Sequence, residues 1–349
     1  MTHTLVSTLA DGPLDLVGDI HGEFDALIAL LDALGYSERG EHRDGRRLVF
    51  LGDLCDRGPD SPAVIELVRD LVARNRAQCV LGNHELNLLR GDTKHGNRWH
   101  LDPDHAEQRA EFGHSKPAPI HLKPAWHDFF LSLPLALERA DLRVAHAAWH
   151  APSIATLRAS SGRTVELFEQ YDDQTRLELE QIGIRSAADA EEADHGVALE
   201  TESMPVPLLP NLALADELFQ MSNPLRVVTS GRERIATTPF WANGKWRMCE
   251  RVQWWNEYTD DVSVIVGHYW RSAVQGPNVS GGKRELFDDV HFNEWSGPKR
   301  NVFCVDFSVG GRYRERARNV SEFATRLGAV RWPERQLVFE DGATSTMIP

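Results

Sequence analysis

Three times before residue 90 the chain repeats one unit: a short apolar run of strand length, a glycine-bearing polar turn, and a stretch with apolar residues at helical spacing. Leu14-Asp15-Leu16-Val17 runs into Gly18-Asp19-Ile20-His21-Gly22, and residues 23–34 then carry Phe24, Leu27, Ile28, Leu31 and Leu34 before Gly35, a helix stop. Leu48-Val49-Phe50-Leu51 leads into a second turn, Gly52-Asp53-Leu54-Cys55-Asp56-Arg57-Gly58, after which Ser61-Pro62 reads as cap and first-turn proline of a helix reaching about Arg74. Cys79-Val80-Leu81 leads into Gly82-Asn83-His84-Glu85 and a short apolar helix. The alternation predicts an α/β chain whose parallel strands are buried between layers, with the ligand site at their carboxyl ends. Leu142-Arg143-Val144-Ala145 ending at His146, residues 262–266 ending at Gly267-His268, and residues 302–305 ending at Asp306 repeat the design.

The turns hold residue types that suit metal ions. Asp19 and His21 stand two apart between glycines, so a hard carboxylate and an imidazole can reach one cation. Asp53 ends the second strand, where two carboxylate oxygens can bridge two cations. Asn83 ends the third as a neutral oxygen ligand, and His146 and His268 complete the set. Ligands arriving from separate strand ends are what a pair of divalent ions roughly 3.5–4 Å apart requires. Two such cations outweigh the carboxylates of Asp19 and Asp53, so the centre stays positive and a phosphate anion is its expected guest. Three imidazoles favour manganese, or iron or zinc, over magnesium alone. His150 rivals His146 but lies further into its loop.

Beside this cage, His84 follows Asn83 directly and projects where a protonated imidazole can donate to a leaving oxygen as general acid. Asp56 can orient it, and Arg57 offers a planar fork matched to two phosphate oxygens. The P-loop, dinucleotide-binding glycine fingerprint, zincin helix and serine-hydrolase elbow are all missing from the sequence.

Composition sets further bounds. A formal charge of −14, from 38 basic and 52 acidic residues, repels polyanions and argues against a nucleic-acid partner. Residues 1–13 lack a signal-peptide pattern and no long uncharged apolar run occurs, so the expectation is a cytoplasmic protein without a membrane partner. Cys55, Cys79, Cys249 and Cys304 are irregularly spaced, which reads as small core residues in a reducing compartment, Cys55 in the second turn standing apart. One domain over residues 1–349 is expected, with inserts of about 88–134 and 150–260 covering the site. The second insert reads as helical near 165–182, as an acidic loop around 191–202, and as a hairpin over 238–251 turning at Asn243-Gly244, its tryptophans packing.

The three turn motifs, in this order and spacing, resemble those of the calcineurin-like metallophosphoesterases, and within them the phosphoprotein phosphatase branch that includes symmetrical diadenosine tetraphosphatases. His146 and Gly267-His268 resemble that branch's later metal histidines. The resemblance covers residues 18–268 in motifs and none of the inserts. It implies a β-sandwich flanked by helices, with helical and hairpin inserts over the site. It also implies two divalent ions, Asp19, His21, Asp53 and His268 serving one and Asp53, Asn83 and His146 the other, with a bridging hydroxide attacking phosphorus in line. His84 and Asp56 match the acid pair and Arg57 the phosphate-gripping arginine. A second such arginine is implied, for which Arg232, Arg234 and Arg251 are candidates. Leu81, Ala147 to His150, Tyr269-Trp270 and the run Cys304 to Ser308 depart from the branch, so substrate choice stays open. The expected activity is hydrolysis of a phosphomonoester, on a phosphoprotein or small phosphorylated molecule in the manner of a serine/threonine phosphatase. The alternatives are a dinucleoside polyphosphate hydrolase yielding nucleoside diphosphates and a phospho-ligand sensor without turnover.

Overall fold

The computed structural model describes residues 4–349 apart from 243, 274–285 and 288. Its strands are β1 (Val6–Thr8), β2 (Leu14–Val17), β3 (Arg47–Phe50), β4 (Ala77–Cys79), β5 (Ala136–Glu138), β6 (Leu142–Ala145), β7 (Glu233–Ala242), β8 (Lys245–Arg251), β9 (Ser263–Val266), β10 (Val302–Cys304), β11 (Gly328–Trp332), β12 (Gln336–Phe339) and β13 (Thr344–Thr346). They form a five-stranded sheet ordered β1-β5-β6-β9-β10, a six-stranded sheet ordered β13-β12-β11-β2-β3-β4, and the β7–β8 hairpin. The expected parallel pairing holds where the polar turns lie, among β2, β3 and β4 and among β6, β9 and β10. Elsewhere the sheets are mixed: β11 lies antiparallel to β2, and β5 to β6.

Period-two alternation explains the layering. Leu14, Leu16 and Val49 share a buried cluster with Val144, Ile265 and Phe303 of the other sheet, which makes the sandwich core. Val17, Leu48 and Phe50 point the other way and join Leu27 and Leu30 of α1 (Phe24–Leu34) and Val64 and Val68 of α2 (Ser61–Ala73). Gly35 ends α1 in the left-handed region, its N–H bonded to the carbonyls of Asp32 and Leu31. At the start of α2 the cap is Asp60, whose side chain accepts from Ala63 N at 3.0 Å, and not Ser61. Ser61 Oγ accepts instead from Asp56 N at 2.9 Å, tying the helix to the second polar turn.

Two stretches differ from expectation. The acidic segment near 191–202 is helical over Ile184–Leu199, because its alanines favour helix, Ala188 and Leu199 are buried, and Glu191 accepts from the backbone N–H groups of Asn211 and Leu212. Residues after 306, given no strands from the sequence, supply β11, β12 and β13, short elements whose pairing is set by the edge of β2. The hairpin near 238–251 is present, though Asn243 of its turn lies outside the described residues. No helix among the described residues is long and apolar enough to cross a membrane.

The two sheets converge where β2 and β10 end. A Cβ on Gly18 would stand 2.4 Å from the Val305 carbonyl oxygen, so only glycine permits this approach. Gly18→Ala is predicted to cost about 1–3 kcal/mol through forced separation of backbone. Denaturant titration checks this, and a midpoint equal to that of the unsubstituted chain contradicts it.

Candidate metal centre

The first and second polar turns and the turn at His268 leave their strands by a backbone kink. Of the ten described non-glycine residues with positive φ, five are His21, Asp53, Asp56, Arg57 and His268. L-residues occupy this region at a cost of order 1–3 kcal/mol each, which persists only where neighbours over-determine it. Glu85 is one such neighbour. Its buried carboxylate accepts from Asp53 N (2.9 Å), Gly82 N (3.1 Å) and Leu54 N (2.8 Å), locking the second and third turns together. Gly267 is another, since a Cβ there would fall 2.0 Å from Asp19 Oδ1.

Asp53 lies at the centre. Its Oδ1 is 3.3 Å from His146 Nε2, while its Oδ2 is 3.7 Å from His21 Nε2 and 3.8 Å from His84 Nε2. The two oxygens therefore face two groups of donors, Asp53 with His21 and His84, and Asp53 with His146 and His268. Asn83 Oδ1 joins the second group, 3.1 Å from His146 Nε2 and 2.9 Å from His268 Nδ1. Asp19 borders the first group, its Oδ2 4.0 Å from His21 Nε2, and it accepts the backbone N–H of His268 at about 3 Å through both oxygens. The ring of His268 thus stands with His146 and Asn83, whereas the resemblance had put it with Asp19 and His21; only its backbone reaches Asp19.

Tautomers follow from the partners. His21 Nδ1 meets the Cys55 carbonyl at 3.0 Å and His146 Nδ1 the Leu51 carbonyl at 2.6 Å. A carbonyl only accepts, so both Nδ1 atoms carry protons and both Nε2 atoms face the centre; burial lowers the His146 imidazole, but the charges of Asp53 and Asp19 raise it to about 10. Asp19, Asp53 and Asp306 are all buried, as are the three imidazoles. Burial, with the charge of Asp306, holds the Asp19 carboxyl well above the usual range, and burial pushes Asp306 up to about 6. Burial, with the charges of Arg57 and Arg251 respectively, holds His21 and His268 well below theirs. His268 Nε2 and Asp306 Oδ2 are buried without a hydrogen-bond partner. Bare imidazole lone pairs beside buried carboxylates short of positive charge are a donor set that divalent cations fit.

A second layer adjoins the cage. His84 Nδ1 donates to Asp56 Oδ2 at 2.5 Å, and Asp56 Oδ1 accepts from the indole of Trp99 at 2.6 Å, so a buried tryptophan of the first insert fixes the carboxylate. Arg57 Nη1 lies 3.2 Å from His21 Nε2 and its guanidinium 5.3 Å from the Trp270 ring. Cys55 is buried, and burial, with Asp56 and Glu85 nearby, pushes its thiol well up, so it joins the other three as an unreactive core residue. His150 Nδ1 pairs with Ser153 Oγ at 2.8 Å at a helix start, away from both donor groups. Arg232 pairs with Glu257 and Arg234 with Glu250, whereas Arg251 lies 5.7 Å from the Tyr269 ring and its charge reaches His268. The sequence places Glu85 in a turn motif and Asp306 at a strand end without a role for either, and does not single out Trp99. Glu85 had a signal, standing in a motif three residues after Gly82; Trp99 had none.

Residues 12–174, which carry the three turn motifs and His146, match the family model described as calcineurin-like phosphoesterase. The chain is 37% identical over 172 residues to the asymmetrical bis(5'-nucleosyl)-tetraphosphatase PrpE of Halalkalibacterium halodurans and 34% identical over 171 residues to that of Oceanobacillus iheyensis. Each match covers 46% of this chain and 65% of the relative, so the chain spans just under two thirds of these relatives' length. Among solved structures, a cold-active protein-tyrosine phosphatase of Shewanella is similar at 16% identity and a TM-score of 0.48, covering 98% of this chain and 82% of that one.

Because the donors converge only in the folded chain, manganese at a thousandfold excess over its dissociation constant is predicted to stabilise it by about 4 kcal/mol. Thermal unfolding with and without manganese checks this. His268→Ala, which keeps the other site, should show a clearly smaller upward shift in midpoint, and an equal shift in both proteins contradicts the ligand set.

Proposed function

We propose that the chain is a dinuclear metal-dependent phosphohydrolase acting on the phosphoanhydride bridge of dinucleoside polyphosphates. The observation that carries the reaction class is the buried Asp53 carboxylate, whose two oxygens serve two donor groups beside the His84–Asp56 pair. The substrate is supported by the relatives, named as bis(5'-nucleosyl)-tetraphosphatases. Asp19, His21 and Asp53 would hold one divalent cation, manganese, iron or zinc, and Asp53, Asn83, His146 and His268 the other. When bound, the cations supply Lewis acidity, making water a competent nucleophile at neutral pH and drawing charge from phosphoryl oxygens. The chain acts as one domain whose inserts, about 88–134 and 150–260, flank the site.

The protein's own residues complete the chemistry. Trp99 and Ser61 fix Asp56 by side chain and backbone, and Asp56 fixes the His84 ring with Nε2 turned to the centre. A proton held at His84 Nε2 passes to the departing oxygen as the bond to phosphorus breaks. Arg57 grips nonbridging oxygens with its planar fork, an interaction that strengthens as charge builds on the phosphoryl group. Hydrolysis of a phosphomonoester, as in a phosphoprotein, is the second reading, favoured by that same acid: an alkoxide leaving group needs a proton far more than a leaving phosphate does.

This difference gives the test. Diadenosine tetraphosphate and a phosphoserine peptide are supplied side by side with manganese. Turnover of the dinucleotide by the unsubstituted chain supports the first reading, and turnover of the peptide alone overturns it. His84→Ala should lower kcat on a phosphoserine peptide by about 10²–10⁴-fold and on the dinucleotide by clearly less. Metal binding with no hydrolysis of either would make the chain a phospho-ligand sensor. The products separate an unequal cut, a nucleoside monophosphate with a triphosphate, from an equal cut into two diphosphates. The relatives' designation as asymmetrical favours the unequal cut, in contrast to the symmetrical enzymes of the resemblance.

A further inference from the structure

The first insert, the turn of the β7–β8 hairpin and the segment after β10 line an open cavity of about 570 Å³ whose walls include Lys94, His95, Gly96, Phe112, Tyr313 and Arg314. This volume is in the range of small-molecule sites. The cavity adjoins the proposed metal centre through Arg57. Arg57 donates its backbone N–H to the Gly96 carbonyl at 3.1 Å, and a Cβ on Gly96 would fall 2.8 Å from Arg57 Cγ, so the cavity wall and the arginine are in direct contact. Across the same edge, Trp270 has the guanidinium of Arg57 5.3 Å from its ring and that of Arg314 5.6 Å away. Arg57 in turn reaches His21, so one line of contacts runs from the cage to the cavity.

Charge distinguishes the lining from the rest of the surface. Most arginines here are tied to carboxylates, as Arg46 is to Asp15, Arg158 to Glu138 and Arg226 to Asp172. Among the described residues, Lys94 and Arg314 have no carboxylate at ion-pair distance. Arg314 Nε donates instead to the Tyr313 hydroxyl at 2.8 Å. The one carboxylate in the lining, Glu111, is taken by His95 at 2.8 Å. An acidic chain of net charge −14 thus keeps a local concentration of unneutralised cations beside its candidate phosphate site, an arrangement that attracts an extended anion.

We propose that this cavity is the subsite for the part of the substrate beyond the scissile phosphorus, Arg314 and Lys94 binding the remaining phosphates of a nucleoside polyphosphate while Arg57 holds the phosphoryl group at the seam. The proposal rests on the phosphohydrolase reading above and deepens it. A substrate with one phosphate and a small leaving group ends at Arg57, whereas a polyphosphate bridge continues into the cavity. The departures from the phosphoprotein phosphatase pattern at Tyr269-Trp270 then acquire a role, because Trp270 supports both arginines.

The experiment compares kcat/KM for diadenosine tetraphosphate with kcat/KM for p-nitrophenyl phosphate, in the full chain with manganese, for Lys94→Ala and Arg314→Ala. Both side chains are exposed, so the variants should fold, and circular dichroism checks that they do. Losing a hydrogen-bonded cation from a phosphate contact should lower the ratio of the two values by about tenfold for each variant, mostly through KM for the dinucleotide. An unchanged ratio, whether both values hold or both fall together, overturns the subsite. If the unsubstituted chain cleaves p-nitrophenyl phosphate and leaves the dinucleotide intact, the dinucleotide reading fails first and the subsite falls with it.

Discussion

A single buried carboxylate organises this protein. Asp53 sits at the end of β3 with negligible exposure, one oxygen toward His146 and the other toward His21 and His84. Burying a carboxylate without compensation costs several kcal/mol, so the group persists only with its donors around it. Those donors come from strand ends in both sheets, which is why the sheets must close where they do. Gly18 and Gly267 permit the closure, and Glu85 holds the second and third turns in register through three backbone N–H groups. The strained φ values at His21, Asp53, Asp56, Arg57 and His268 mark where the chain is bent to serve that carboxylate.

The sequence exposes whatever is local. Strand, glycine turn and helix follow one another within a few residues, so Asp19, His21, Asp53, Asn83 and His84 could be read with their elements before any packing was known. Long-range consequences are less visible. Ser61 looks like a cap, but the neighbouring Asp60 takes that place and frees Ser61 to hold Asp56. The acidic stretch before Glu202 looks like a loop because its charge masks an alanine-rich helix. His268 joins Asn83 by its ring and Asp19 by its backbone, a division that spacing cannot reveal. Trp99 reaches Asp56 from a separate helix 43 residues on, with no motif to announce it.

The match to the calcineurin-like phosphoesterase model covers the cage except His268 and leaves the surroundings to this chain. The family match ends at residue 174, while the hairpin, Arg251, Trp270 and Arg314 lie beyond it. These later residues act on the potential around the cage: Arg251 acts on His268, and Arg314 lies across Trp270 from Arg57 of the second turn. A strongly acidic protein with a cationic margin to its candidate site admits anions there and repels them elsewhere. On the proposed reading, reaction class is written in the strand-end turns and substrate choice in the inserted and C-terminal segments.

Metal stoichiometry tests the central role of Asp53 most directly. Elemental analysis after dialysis in manganese should find two ions per unsubstituted chain and one in His21→Ala, whereas Asp53→Asn, lacking the shared carboxylate, should retain fewer than one. Two ions bound by Asp53→Asn would contradict the account, and so would a single ion in a fully active unsubstituted chain.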